Sequence, residues 1–191
     1  MKNMKHIFYF TITLTLLAIS IQSAQAQGKR SIGIRGGYQI SGLFEGSDRV
    51  SGTSNYGSIY AGVFKEKKII PFLHWGMGLE YCINGAEFGD NTTQKIHYLG
   101  LPVHMKAKVG PIYALVGVQP KVKLSEKIFI DDEKTSPTDE QKSKTFDLPA
   151  YGGLGINILI VSIETRYYYS MIETNHGARN AYWQIGATLH L

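Results

Sequence analysis

Five of the six histidines, His74, His97, His104, His176 and His190, stand among many serines and carboxylates, and those residue types can build a nucleophilic Ser-His-acid site for hydrolysis or acyl transfer. No G-x-S-x-G elbow or other local nucleophile motif accompanies them. A triad is defined by geometry, so isolated histidines on alternating segments read first as hydrogen-bonding residues of an interior or an interface. Cys82 is the only cysteine, so it has no partner for an intramolecular disulfide and cannot anchor a cysteine metal cluster. Gly152-Gly153-Leu154-Gly155 lacks the G-x-G-x-x-G spacing and the following helix of a dinucleotide site, and reads as close packing and strand curvature. Asp131-Asp132-Glu133 and Asp139-Glu140 lie near lysines and Pro137, without the order of an EF-type calcium loop, and read as a solvated segment in which Phe129 and Ile130 offer a partner an apolar handle. The expectation is no enzyme, no catalytic, cofactor-binding or metal-ligating residue, and no cofactor.

A second chemistry is electrostatic. In the register that strand alternation gives, Arg35, Lys106, Lys108, Lys121, Lys123 and Arg166 face Glu80, Asp147 and Glu164. On one face of a narrow closed sheet these groups would form an ion-paired, hydrogen-bonded plug, because an unpaired buried charge is expensive. A narrow ion path is the other use of the same residues, whereas a wide aqueous channel needs about 16 strands.

Those charges need strands to hold them. Alternation places eight, near residues 31–42, 55–66, 72–86, 95–109, 111–124, 146–158, 160–172 and 181–191. Turns fall at Lys67-Lys68, Val109-Gly110-Pro111 and Ile158-Leu159, while 43–54, 87–94, 125–145 and 173–180 are longer and polar. Short turns alternating with long loops are the habit of outer-membrane barrels. Pro102, Pro120 and Pro149 each remove a ladder donor, so bulges or strand ends are expected there. With 21 Gly, 12 Tyr and 8 Phe and no long 3.6-residue apolar pattern after the leader, the class is all-β: an eight-stranded antiparallel up-and-down transmembrane β-barrel.

Residues 1–26 read as a cleaved secretory signal peptide, with Lys2 and Lys5 before an apolar stretch from Ile7 to Ile21 and Ala24-Gln25-Ala26 before Gln27. Residues 27–191 are then the barrel domain. The formal net charge of +5 loses the contribution of Lys2 and Lys5, leaving +3, so the basic balance is not evidence for nucleic acid. A soluble lipocalin-like barrel has the same strand count with an apolar cavity and a polar surface. The secretion signal, the aromatic content and the closing strand favour lipid outside. In that strand Trp183, Ile185, Ala187, Leu189 and Leu191 share one face, and Tyr182, Gln184, Gly186, Thr188 and His190 the other. Leu101, Val103, Val161, Ile163 and Ile185 are therefore expected to meet lipid, and Lys106, Lys121, Glu164 and Arg166 to point inward. His104 falls on the inward face without a role assigned to it.

Gly33-Ile34-Arg35-Gly36-Gly37-Tyr38, Gly62-Val63-Phe64, Gly78-Leu79-Glu80-Tyr81, Tyr98-Leu99-Gly100-Leu101-Pro102-Val103, Phe146-Asp147 with Gly152-Gly153-Leu154-Gly155, and Glu164-Thr165-Arg166-Tyr167 follow one another in order. In this the chain resembles the PorT-like small outer-membrane barrels of the Bacteroidetes. The resemblance implies an eight-stranded barrel in the cell outer membrane and no settled activity, some members being tied to protein secretion. The expected role is structural or interaction, accessory to secretion or surface assembly, with outer-membrane lipid and a secretion or surface protein as partners, and with the barrel-assembly machinery as a third through the polar-x-Gly-x-x-apolar-x-apolar spacing of the C-terminal strand. A hydrolase or acyltransferase acting on outer-membrane lipid is the alternative function.

Overall fold

The computed structural model describes residues 30–45, 48–88, 92–130, 133–135, 143–173 and 178–191. The leader expected at 1–26, His176 and most of the acidic stretch between 131 and 142 lie outside these residues. The strands are β1 (Arg30–Glu45), β2 (Asp48–Arg49), β3 (Thr53–Ile70), β4 (Leu73–Phe88), β5 (Thr92–Gly100), β6 (Val103–Val109), β7 (Ile112–Val118), β8 (Lys121–Ile130), β9 (Glu133–Thr135), β10 (Phe146–Asp147), β11 (Pro149–Ile158), β12 (Val161–Ser170) and β13 (Arg179–His190). Several make one continuous stave of the wall with a break: β5 with β6, β7 with β8, and β10 with β11. Eight antiparallel staves result.

The wall closes on itself because β1 pairs with β13 from Gly33↔His190 to Phe44↔Arg179. Paired residues can be followed around the ring from Ile32 through Lys65, Met77, Val103, Val118, Ala150, Tyr169 and Ala181. The path returns to β1 at Gly42, a shear of ten residues. Eight strands with that shear tilt by about 40° and leave a backbone radius of roughly 8 Å. A cylinder that narrow is filled by its own side chains.

All three breaks fall at the prolines. Each proline lacks an N–H, so the ladder there is carried by its carbonyl: Gly78 N–H donates to Pro102 O at 2.9 Å, Leu101 N–H to Pro120 O at 2.8 Å and Gln119 N–H to Pro149 O at 2.9 Å. The staves thus keep their alternation across the interruptions. Two-residue turns join the other ends, at Pro71-Phe72, Gly110-Pro111 and Leu159-Ile160, closed by the pairs Ile70↔Leu73, Val109↔Ile112 and Ile158↔Val161. Gly110 adopts φ 61°, as such turns demand, and Leu159 is the only non-glycine among the described residues with positive φ, at 56°.

Two boundaries differ from the sequence reading. The turn expected at Lys67-Lys68 lies at Pro71-Phe72, because Lys67 and Lys68 remain in register with Trp75 and His74. The stave expected to end near residue 124 continues to Ile130. Its pairing skips Leu124, since Tyr98 pairs with Lys123 and His97 with Ser125, and this bulge reverses which parity faces inward.

Outside, the side chains are apolar: Leu101, Ile163 and Ile185 are exposed and Val103 and Val161 half-exposed, all on the outer wall as expected. Phe72 and Trp75 mark the turn end of this band, and Tyr38, Tyr81, Tyr167 and Trp183 its upper margin, as the two aromatic girdles of a membrane barrel require.

Candidate functional site

The interior is where titratable groups converge. Among the described residues, four cations, Arg35, Lys106, Lys121 and Arg166, and four carboxylates, Glu66, Glu80, Asp147 and Glu164, are buried. Every one of them has an opposite partner.

The middle storey is built on Arg166 of β12, a guanidinium fully enclosed in the barrel. It contacts Glu164 two residues along the same strand, lies 3.3 Å from Glu80 Oε2 across the lumen, and donates to Tyr168 Oη at 2.9 Å. Alternation makes this possible, since residues 164, 166 and 168 share one face. Glu164 also accepts from Tyr113 Oη at 2.8 Å and stands 3.8 Å from Arg35. Glu80 accepts from the amides of Gln119 at 3.2 Å and Gln184 at 3.0 Å. The amide chain continues from Gln184 to Gln39 at 2.9 Å and from Gln39 to Asn84 at 3.0 Å. Tyr168 stacks between Tyr151 and Tyr182, with ring centroids 4.6 and 4.3 Å away. A flat aromatic pile of this kind fills the cylinder while leaving hydroxyls at its rim.

Towards the turns, Lys106 pairs with Glu66, and His104 Nε2 lies 3.3 Å from the same carboxylate oxygen. Its Nδ1 faces Tyr151 Oη at 3.3 Å, so His104 joins this storey to the tyrosine pile. Arg35 sits over the Phe64 ring and Lys106 over Tyr113. Towards the loops, Lys121 stands 3.2 Å from Asp147 with the rings of Tyr98 and Tyr182 on either side, and Asp147 also accepts from Ser170 and Asn180. Higher still, Lys123 meets Glu126 at 2.6 Å, and Glu126 takes the backbone N–H and hydroxyl of Ser143.

Lys106, Lys121, Glu164 and Arg166 are thus all interior, as the alternation required, and Lys108 is half-exposed near the turns. Two carboxylates escaped the sequence reading. Glu66 stood beside the misplaced turn, and Glu126 was assigned to a loop because the bulge at Leu124 hides its parity. The signal that could have found them was charge balance: six inward cations against three carboxylates cannot be buried together.

The histidines do not form one site. His104 is in the lumen and His97 on the outer wall, its Nδ1 against Tyr81 Oη. His190 Nε2 lies 2.7 Å from Ser162 Oγ, inside the barrel at the turn end, where Asn157 accepts from the same serine at 2.7 Å. That Ser-His contact faces the lumen, away from lipid. Among the described residues, no three His, Cys, Asp or Glu side chains converge as a metal site.

A filled, ion-paired barrel with two aromatic girdles has a known family. Residues 22–174 match the family described as outer membrane protein beta-barrel domain. The chain belongs to this family. It is an integral β-barrel of the outer membrane. No curated protein matches it in sequence. Among solved structures it is similar to the attachment invasion locus protein Ail of Yersinia pestis, crystallised with the heparin analogue sucrose octasulfate, at 15% identity and a TM-score of 0.53 over 85% of this chain and 99% of that one. It is also similar to Neisserial surface protein A, at 12% identity and a TM-score of 0.58 over 83% of this chain and 96% of that one. At these identities the likeness is one of fold.

Proposed function

We propose that this protein is a closed barrel of the PorT-like kind, with a structural or interaction role at the cell surface as an accessory to secretion or surface assembly. The observation that carries the reading is the neutral interior: four buried cations against four buried carboxylates, each paired. Charges so engaged hold a wall in shape and leave no row of free charges for an ion to follow. What remains for interaction is the loop end, the lipid-facing wall, and β13, the strand through which the barrel-assembly machinery would engage the chain. Two proteins of similar fold, one named for attachment and invasion and crystallised with a heparin analogue and one named as a surface protein, support the interaction role. The lumen-facing position of Ser162 and His190 gives the lipid-modifying alternative no support.

The experiment pairs two measurements on the purified barrel. In planar bilayers no discrete conductance steps are expected, and regular steps would replace the closed reading with an ion path. In cells, photo-crosslinkers at Ser54, Thr92 or Thr145 on the loop end should give discrete protein adducts that crosslinkers at lumen positions do not. Release of fatty acid from outer-membrane lipid by the pure protein, abolished by Ser162→Ala, would establish the enzyme instead.

A further inference from the structure

Above the upper girdle, the outer wall carries a pair of charges that the fold leaves in conflict. Lys95 of β5 is directly opposite Lys127 of β8, and both face outward. Like charges directly opposite on a sheet repel. Neither belongs to an ion pair among the described residues, although Glu87 also faces outward on β4, where it pairs with Thr93. The bulge at Leu124 is what brings them together, since without it Glu126 would stand near that face in place of Lys127.

The Lys95 ammonium is also held in place. It lies 4.4 Å from the centroid of the Phe129 ring and 5.5 Å from that of Tyr56. Tyr56 reaches it by lying across Gly85, the residue paired with Lys95, where a Cβ would come within 2.7 Å of the ring. His97 is next on the same face, opposite Ser125 and in contact with Tyr81 of the girdle. Two ammonium groups, an imidazole and the hydroxyls of Thr93 and Ser125 therefore share one outward patch.

Its height identifies what it meets. Tyr81 pairs with Leu99, and Lys95 is four residues further from the membrane along β5. At the rise and tilt of this wall that is about 10 Å, the headgroup layer immediately above the hydrocarbon. On the reading that the loop end faces the cell exterior, we propose that Lys95 and Lys127, with His97 beside them, bind the phosphate of an anionic glycolipid headgroup in the outer leaflet. An anion between the two lysines turns their repulsion into a shared attraction, and the aromatic clamp on Lys95 spares part of the ordering such binding requires.

The test uses the complete mature protein in phosphatidylcholine nanodiscs containing lipid A, a diphosphorylated glucosamine lipid, or the same lipid stripped of phosphate. Lipid retained per barrel is measured by native mass spectrometry and the His97 imidazole is followed by NMR. Retention of the phosphorylated lipid is expected to fall roughly thirtyfold in the Lys95→Gln/Lys127→Gln variant. Lys65→Gln/Lys67→Gln, at the opposite rim, should leave it unchanged. In nanodiscs of phosphatidylcholine alone, Lys127→Gln should unfold at a urea concentration equal to or above that of the parent, because it removes only repulsion. Equal retention by parent and double variant, or equal retention of the stripped lipid, overturns the proposal. So does an equal His97 shift with inorganic phosphate alone, which would place the anion's source in solution.

Discussion

Arg166 shows how a single residue can be both indispensable and replaceable. Its guanidinium is enclosed with Glu80 and Glu164, so removing Arg166 or Glu164 alone leaves the interior with an excess charge, whereas removing both keeps the sum balanced, with Arg35 against Glu80. Glu164→Gln and Arg166→Met are each expected to cost about 3 to 5 kcal/mol, and the double variant less than the sum, read as urea midpoints in bilayers. Equal midpoints for all four proteins would mean that water already reaches these groups. Gly186 makes a separate point about space. A Cβ there would meet Tyr60 Oη at 2.3 Å and Gly36 O at 2.4 Å, so Gly186→Ala should cost about 1 to 3 kcal/mol through overpacking of the wall, measured the same way. The inward direction of Arg166 and Glu164 was legible from parity alone. The pairing of Arg166 with Glu80, 86 residues earlier, was not, because nothing local in the sequence encodes which staves face each other across a lumen.

Each stave has an apolar outer stripe and a polar inner one, and the cost of violating that stripe depends on depth. Ile163 of β12 lies between the Tyr167 and Trp183 girdle and the Leu159-Ile160 turn, close to the middle of the apolar band. Ile163→Arg is therefore expected to cost about 2 to 4 kcal/mol in bilayers, and a cost near zero would show that the band is displaced along the axis. The proline breaks at 102, 120 and 149 were foreseeable from the missing donor, and they fell where that argument put them. The β3 and β4 turn was not foreseen, since Lys67-Lys68 looks like a polar turn and Ile69-Ile70-Pro71-Phe72 does not. At this rim the wall ends in lipid or its interface, where an apolar turn is no liability.

Closure is a property of the whole molecule. Because β1 and β13 pair along their length, the wall of eight staves closes into a ring, and unfolding must break it as one event. The protein is expected to partition with outer membranes and to migrate differently on gels before and after heating. A chain truncated before Arg179 should lose both properties, since its ring could not close. Recovery of the truncated chain as a heat-modifiable membrane species would show that seven staves and the loops suffice.

The sequence by itself determined the class, the eight staves, the inside and the outside, and the breaks at prolines, because a two-residue period and the chemistry of proline act locally. Tertiary structure alone decided the shear of ten residues and therefore which charges meet. It placed Glu66 and Glu126 among the interior anions, through a turn four residues later than expected and a one-residue bulge. It also set Lys95 against Lys127 on the outer wall. Register between strands is a relation among distant segments, and a shift of one residue reverses every face, so no reading along a single strand can supply it.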